Sequence, residues 1–286
     1  MHILLTGSTG YIGRRLLPVL LQSGHQVTCL VRDKRRFDYD DFDGELLERI
    51  RVVEADLSDS KSLASLPLDI DVAYYFVHGM STSHNDFSDL EKTMASNFSN
   101  YISITNARQI IYLSGIANDE NLSDHLQSRK LTEDILKESG VPLTTLRAAI
   151  IIGSGSASFE IIRDLVEKLP IMIAPKWLKS KCQPISIKNV IQYLKGVLFK
   201  PETYNKSFDI AGPDILTYKE MLLKYSEVRN LNRKIFTLPV LTTKISSYWL
   251  YFVTSTSYNL ARSLVSSMHN DVVAAENKIR DIIRID

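Results

Sequence analysis

Thr6-Gly7-Ser8-Thr9-Gly10-Tyr11-Ile12-Gly13 is the stretch that decides the fold of this chain. Before it stands a short apolar run, Ile3 to Thr6, which reads as a strand. After it, Ile12 to Ser23 carries apolar residues at helical spacing until Gly24 stops the pattern. A strand that turns through three glycines into an amphipathic helix is built for a phosphate. Gly7 permits the tight turn, Gly10 leaves the backbone bare where a pyrophosphate approaches, and Gly13 lets helix and sheet pack closely. The helix start directs free amides and a positive dipole end at the phosphates. Ser8, Thr9, Tyr11 and Ile12 complete that turn.

Beyond this loop, strand-like and helix-like segments alternate. Strands are predicted over Gln26 to Arg32, Arg51 to Glu54, Asp71 to His78, Gln109 to Ser114 and Leu143 to Ile152. Helices are predicted over Phe87 to Asn106 and Ser128 to Ser139. The strands are continuous apolar runs, which implies burial on both faces and a parallel sheet with right-handed crossovers. The fold class is therefore α/β, a doubly wound Rossmann sheet filling residues 1–155. From 156 to 286 the texture changes to a smaller, largely helical lobe on the substrate side. It holds helical patterns over Ser156 to Leu169, Asn189 to Phe199, Thr217 to Val228 and after Leu241. Short strands are expected near Pro184-Ile185-Ser186 and at Phe208 to Pro213.

Composition excludes several classes. With 34 Lys and Arg against 33 Asp and Glu in 286 residues, no basic excess calls for nucleic acid. No apolar run is long enough to span a bilayer, and the short apolar start runs straight into the glycine turn instead of forming a secretory leader. Cys29 and Cys182 form no CxxC pair and read as reduced core thiols of a cytoplasmic protein. His78 and His84 lack a second ligand cluster, so no metal is expected. A homo-oligomer is compatible with the sequence.

The second strand ends in Val31-Arg32-Asp33, followed by Lys34, Arg35 and Arg36. A dinucleotide site selective for NAD usually places an acid here for the ribose 2′-hydroxyl, whereas Arg32 suits a 2′-phosphate. NADPH is thus preferred over NADH, with Asp33 the residue that could reverse the order. Asp56-Leu57 stands where an adenine amino group would be read, and Asp56 serves equally well as a turn residue.

Together these segments resemble the extended and atypical short-chain dehydrogenase/reductases. Tyr112-Leu113-Ser114-Gly115, Leu146-Arg147-Ala148-Ala149 and Gln183-Pro184-Ile185 extend the likeness. Val77 to Met80, Ile151 to Glu160 and Phe208 to Asp214 resemble the NmrA-like branch, whose bacterial NAD(P)H-binding members are often labelled nucleoside-diphosphate-sugar epimerases. The resemblance covers nearly the whole chain, and in that branch a further C-terminal domain often follows. It implies that Val77, His78 and Gly79 line the nicotinamide side and that Ser114 is the active-site hydroxyl. Independently of family, a Ser and a His at the carboxyl ends of parallel strands stand where ligands bind.

Active members of that family use a Tyr and a Lys four residues later on one helix. Here the matching segment is Asp124-His125-Leu126-Gln127-Ser128-Arg129-Lys130. One register puts Arg129 at the lysine position and His125 at the tyrosine position. A shift by one recovers Lys130 but places Leu126 where the phenol belongs. Spacing of four sets His125 and Arg129 on one helix face. An imidazole, with an ordinary pKa of about 6.5, can deliver a proton at neutral pH, and a guanidinium beside it would lower that value. Ser114, His125 and Arg129 thus form a candidate reductase site. The competing reading makes His125 an exposed helix-start residue and Arg129 a ribose contact only.

Three functions follow in order. The first is an NADPH-dependent oxidoreductase of a small carbonyl or quinone. The second is a non-catalytic NADPH-sensing regulator or assembly factor, favoured by the missing Tyr. Sugar-nucleotide epimerisation comes last, because it needs a phenolate base. The acidic run Asp38 to Asp43 reads as a solvated turn. Tyr248 to Val253 reads as core, with an oligomer face or an apolar substrate lip as alternatives.

Overall fold

The first six strands of the large sheet divide their apolar residues between two cores. In β1 (His2–Thr6), Ile3 and Leu5 enter one core while Leu4 enters the other. β4 (Val72–Tyr75) sends Val72 and Tyr74 one way, Ala73 and Tyr75 the other. Side chains alternate across a strand, so a strand covered on both faces must be apolar throughout. The computed structural model describes residues 1–77, 84–116, 124–238, 270–275 and 278–285.

With β2 (Gln26–Val31), β3 (Ile50–Glu54), β5 (Gln109–Gly115) and β6 (Leu143–Ala148), these strands pair in the order β3-β2-β1-β4-β5-β6, all parallel. That is the doubly wound order, with its reversal between β1 and β4. Helices α1 (Tyr11–Gln22) and α2 (Gly44–Glu48) belong to the first half of the winding, α3 (His84–Ile102) and α4 (Asp124–Lys137) to the second. Leu16, Leu17, Leu20 and Leu21 of α1 fill one core. Met94, Phe98 and Ile102 of α3, with Ile135 and Leu136 of α4, fill the opposite one.

The sixth strand ends earlier than its apolar run. After Ala148 the chain leaves the sheet, and Ile151–Ile152 (β7) pairs in parallel with Ile185–Ser186 (β10). Helix α5 (Ala157–Lys168), β8 (Ile171–Pro175), β9 (Lys181–Cys182), β12 (Leu216–Thr217), α7 (Tyr218–Val228) and β13 (Lys234–Leu238) surround a third core of Ile161, Leu165, Trp177, Met221 and their neighbours. Strand β8 pairs with β13 and β9 with β12.

Two segments of the later half return to the large sheet. β11 (Lys206–Ile210) adds a seventh parallel strand beside β6, and α6 (Ile187–Gly196) packs its Val190, Ile191 and Leu194 with α1. Near the end, Gln183 Nε2 donates to Gly212 O at 2.8 Å while its Oε1 accepts from Ala274 N at 3.2 Å. This pins residues 270–275 beside β9, and α8 (Ile279–Ile282) then buries Ile279 in the main core. The aromatic run 248–253 and the helical stretch expected after Leu241 lie outside the described residues up to 269. Among the described residues, no helix is long and apolar enough to cross a membrane. Cys29 and Cys182 are buried and unpaired, and burial pushes both thiols up to about 12.

Candidate functional site

The crevice opens where the sheet order reverses. Thr6, the last residue of β1, clasps the end of β4: its Oγ1 donates to Tyr74 O at 3.0 Å and accepts from Phe76 N at 2.9 Å. The chain then turns at Gly7, whose φ of +66 favours glycine and whose missing Cβ would stand 2.7 Å from Phe76 O. Gly10 N donates to Gly7 O at 2.9 Å to close the turn, and Gly10 caps α1 without any side-chain bond. No acid stands in the first turn of α1, so nothing on the helix competes for its positive end. At Gly13 a Cβ would lie 2.3 Å from Gly7 O, closer than any real contact. The helix therefore sits on the turn at backbone distance. At Gly10 the corresponding atom meets only Gly7 O, at 3.1 Å, and is otherwise in open space. This bare backbone above a helix start fits a dinucleotide pyrophosphate.

Around the loop, Ser8 is buried, Thr9 and Ile12 are half-buried, and Tyr11 reaches toward the later half of the chain. The Arg15 guanidinium lies 4.1 Å over the Tyr11 ring, and its Nη2 donates to Ser154 O at 2.6 Å. Burial raises the Tyr11 phenol above its ordinary value, with Arg15 opposing and Glu160 adding to that shift.

Arg32 is exposed just past β2. Asp33 is engaged locally: it caps the following turn and accepts from Arg35 Nε and Nη2, both at 2.9 Å. These bonds from Arg35 hold its carboxyl below the usual value. The cleft beside the glycine loop is lined by Ser8, Thr9, Arg14, Arg36, Asp38 and Asp41 over Phe37 and Phe42. Sequence reasoning missed Arg14, although its place four residues after Gly10 puts it on the loop's side of α1. Asp38 and Asp41 are exposed and lie outside helix and strand, as a solvated turn would place them, and both also face Arg14. Asp56 Oδ1 accepts from Ser58 N and Ser58 Oγ, both at 2.8 Å, the geometry of a turn residue, and Leu57 is buried in the core.

Two strands across from β1, Ser114 stands one residue before the end of β5, opposite Arg147 of β6, and is only 7% exposed. Arg129 is buried on α4, and its Nη1 donates to Leu113 O at 3.1 Å, next to Ser114. Glu91, buried on α3, accepts a hydrogen bond from the Ser128 hydroxyl, a partnership with no signal in the sequence. Val77 follows β4 and is half-buried. His78 and Gly79 lie outside the described residues. His125 falls in the first turn of α4, and its side chain also lies outside them. Among the described residues no cluster of His, Cys, Asp and Glu could hold a metal ion.

Known proteins are similar to this chain in sequence or in fold. An isoflavone reductase homologue of Lupinus albus is 26% identical over 243 residues, 79% of this chain and 75% of that protein. The photosystem II assembly factor Ycf39 of Trieres chinensis is 22% identical over 255 residues, 86% of this chain and 75% of that protein. Among solved structures, a nucleoside-diphosphate-sugar epimerase from Staphylococcus aureus matches with a TM-score of 0.79 at 16% identity, over 100% of this chain and 96% of that one. The Citrobacter sp. triphenylmethane reductase complexed with NADP(H) matches with a TM-score of 0.76 at 16% identity, over 99% and 95%. These structural likenesses bear on the fold. Residues 7–167, more than half of the chain, match a family described as NAD(P)H-binding, and they contain the glycine loop, β4, Ser114 and Arg129. The chain belongs to the NAD(P)H-binding family.

Proposed function

We propose that the protein is an NADPH-dependent oxidoreductase acting on a small carbonyl or quinone. The observation that carries this reading is the bare glycine cradle at the sheet reversal, with a hydroxyl, Ser114, at the carboxyl end of a strand in the same sheet. Bound NADPH supplies the hydride. Ser114 donates a hydrogen bond to the acceptor oxygen, polarising it as negative charge develops. His125 delivers the proton to that oxygen. Arg129 fixes the β5 end that carries Ser114 and supplies positive charge on the ribose side. Arg32 and the neighbouring cations favour the 2′-phosphate, Asp56 reads adenine, and Val77, His78 and Gly79 line the nicotinamide face.

A second reading, an NADPH sensor or assembly factor without turnover, is favoured by one feature: α4 carries no tyrosine. The similar Ycf39 protein is named as an assembly factor, which agrees with it. The two separate on a single assay. Purified protein is mixed with NADPH and a panel of quinones and aldehydes, and loss of the reduced nicotinamide absorbance is followed. Turnover that falls at least tenfold in both His125→Ala and Ser114→Ala supports the oxidoreductase. Tight NADPH binding with no turnover on any acceptor supports the sensor.

A further inference from the structure

The loop after β2 closes over the adenosine-end cleft with two carboxylates. Arg14 Nη2 lies 3.3 Å from Asp41 Oδ2 and 3.7 Å from Asp38 Oδ2. The loop is held there by aromatic packing. Phe37 is buried, its ring stacks 6.3 Å from Phe42, and Tyr39 meets it edge-on at 4.8 Å. Phe42 in turn packs on the main core. The acids are therefore placed, and the cleft that holds two cations, Arg14 and Arg36, also holds two anions.

We propose that Asp38 and Asp41 limit the preference for NADPH by occupying Arg14, so that a 2′-phosphate must exchange them to enter. This rests on the reading that the coenzyme's adenosine end lies in this cleft. A 2′-phosphate brings close to two negative charges, and with Arg14 committed to the acids it meets Arg36 and two like charges. A plain ribose hydroxyl carries no charge and needs no exchange. Asp33, engaged by Arg35, takes no part. Arg14 and its two partners are each about half exposed, so the exchange is within reach of a ligand's binding energy.

The test uses adenosine fragments, which report on this end alone. ADP-ribose and its 2′-phosphorylated form are titrated by calorimetry into the wild type, the double variant Asp38→Asn/Asp41→Asn, the single variant Arg14→Met, and the double variant carrying Arg14→Met. The double variant should bind the 2′-phosphorylated fragment about tenfold more tightly, the scale of one or two exposed ion pairs, without tightening ADP-ribose. The gain should shrink several-fold in the Arg14→Met background, to the part that relief of direct repulsion by the two acids supplies. An unchanged ratio of the two affinities overturns the proposal, as does a full gain that persists without Arg14. Failure of both fragments to bind the wild type would instead sink the placement of the coenzyme in this cleft.

Discussion

Gly10 and Gly13 differ in what their missing side chains spare, and that difference is measurable residue by residue. A Cβ on Gly13 would collide with the Gly7 carbonyl and with Ser8 Cα, both backbone atoms that cannot swing away. Gly13→Ala should therefore destabilise the fold by about 2 kcal/mol, as overpacking does, and lower the melting temperature. A Cβ on Gly10 grazes one carbonyl and otherwise points into the space left for the ligand. Gly10→Ala should melt within a degree or two of wild type yet weaken coenzyme binding about tenfold or more. Thermal melts and a coenzyme titration of both variants check the pair. This part of the site was legible in the sequence because glycine is the residue whose placement reports backbone approach. The adenosine cleft was less so. Arg14 and the Asp38–Asp41 loop meet only after α1 and the segment beyond β2 have folded together, and charge runs alone do not say what they face.

At the scale of elements, α4 is tied to the sheet by a buried carboxylate. Glu133 accepts from Arg147 Nη2 of β6 at 2.9 Å and from Ser207 Oγ of β11 at 2.7 Å, and Lys137 lies 3.1 Å from it. Burial pushes the Glu133 carboxyl up, but the hydrogen bonds from Ser207, Arg147 and Lys137 outweigh it and the net shift is downward. A carboxylate whose folded pKa is depressed contributes its stability above the unfolded value and loses it as pH falls through the folded one. Stability should thus drop as pH falls below about 4.5, the region of an ordinary glutamate. Glu133→Gln should cost about 3 kcal/mol at neutral pH, leaving Arg147 without its charge partner, and should flatten that acid limb. Urea melts across pH test both. Most helices and strands of the first half were readable from periodicity, but the one-turn helix α2 was not. Two further features were not: the early end of β6 and the pairing of β8 with β13. The strand-like pattern of Leu143 to Ile152 runs on past Ala148 without a turn residue, so only the switch of partner from the large sheet to β10 breaks it. β8 and β13 are separated by some sixty residues, and no local signal announces their register.

Over the whole molecule, the chain passes back and forth between a sheet that carries the coenzyme loop and a lobe beside the strands' carboxyl ends. Lys206–Ile210 returns to pair with β6, and Ile279 and Ile283 bury against the same core as α1. Texture along 156–286 is helical and polar enough to read as one lobe. The return of β11 depends on a parallel partner sixty residues earlier, which composition does not reveal. The large sheet was legible because covering both faces of a strand leaves an unbroken apolar run, and the site followed from where its order reverses. A coenzyme that binds the folded chain and not the unfolded one should stabilise it by about 2.7 kcal/mol at a hundredfold excess over Kd, read as a rise in melting temperature.

The central claim is that backbone amides at the start of α1 hold a dinucleotide pyrophosphate. Calorimetric titration of the folded protein with NADPH and with NADH tests it most directly. Saturable one-to-one binding, stronger for NADPH and weakened at least tenfold in Gly10→Ala, is the result this account predicts. A folded wild-type protein that gives no binding heat with either coenzyme, or a Gly10→Ala variant that binds as tightly as wild type, would contradict it.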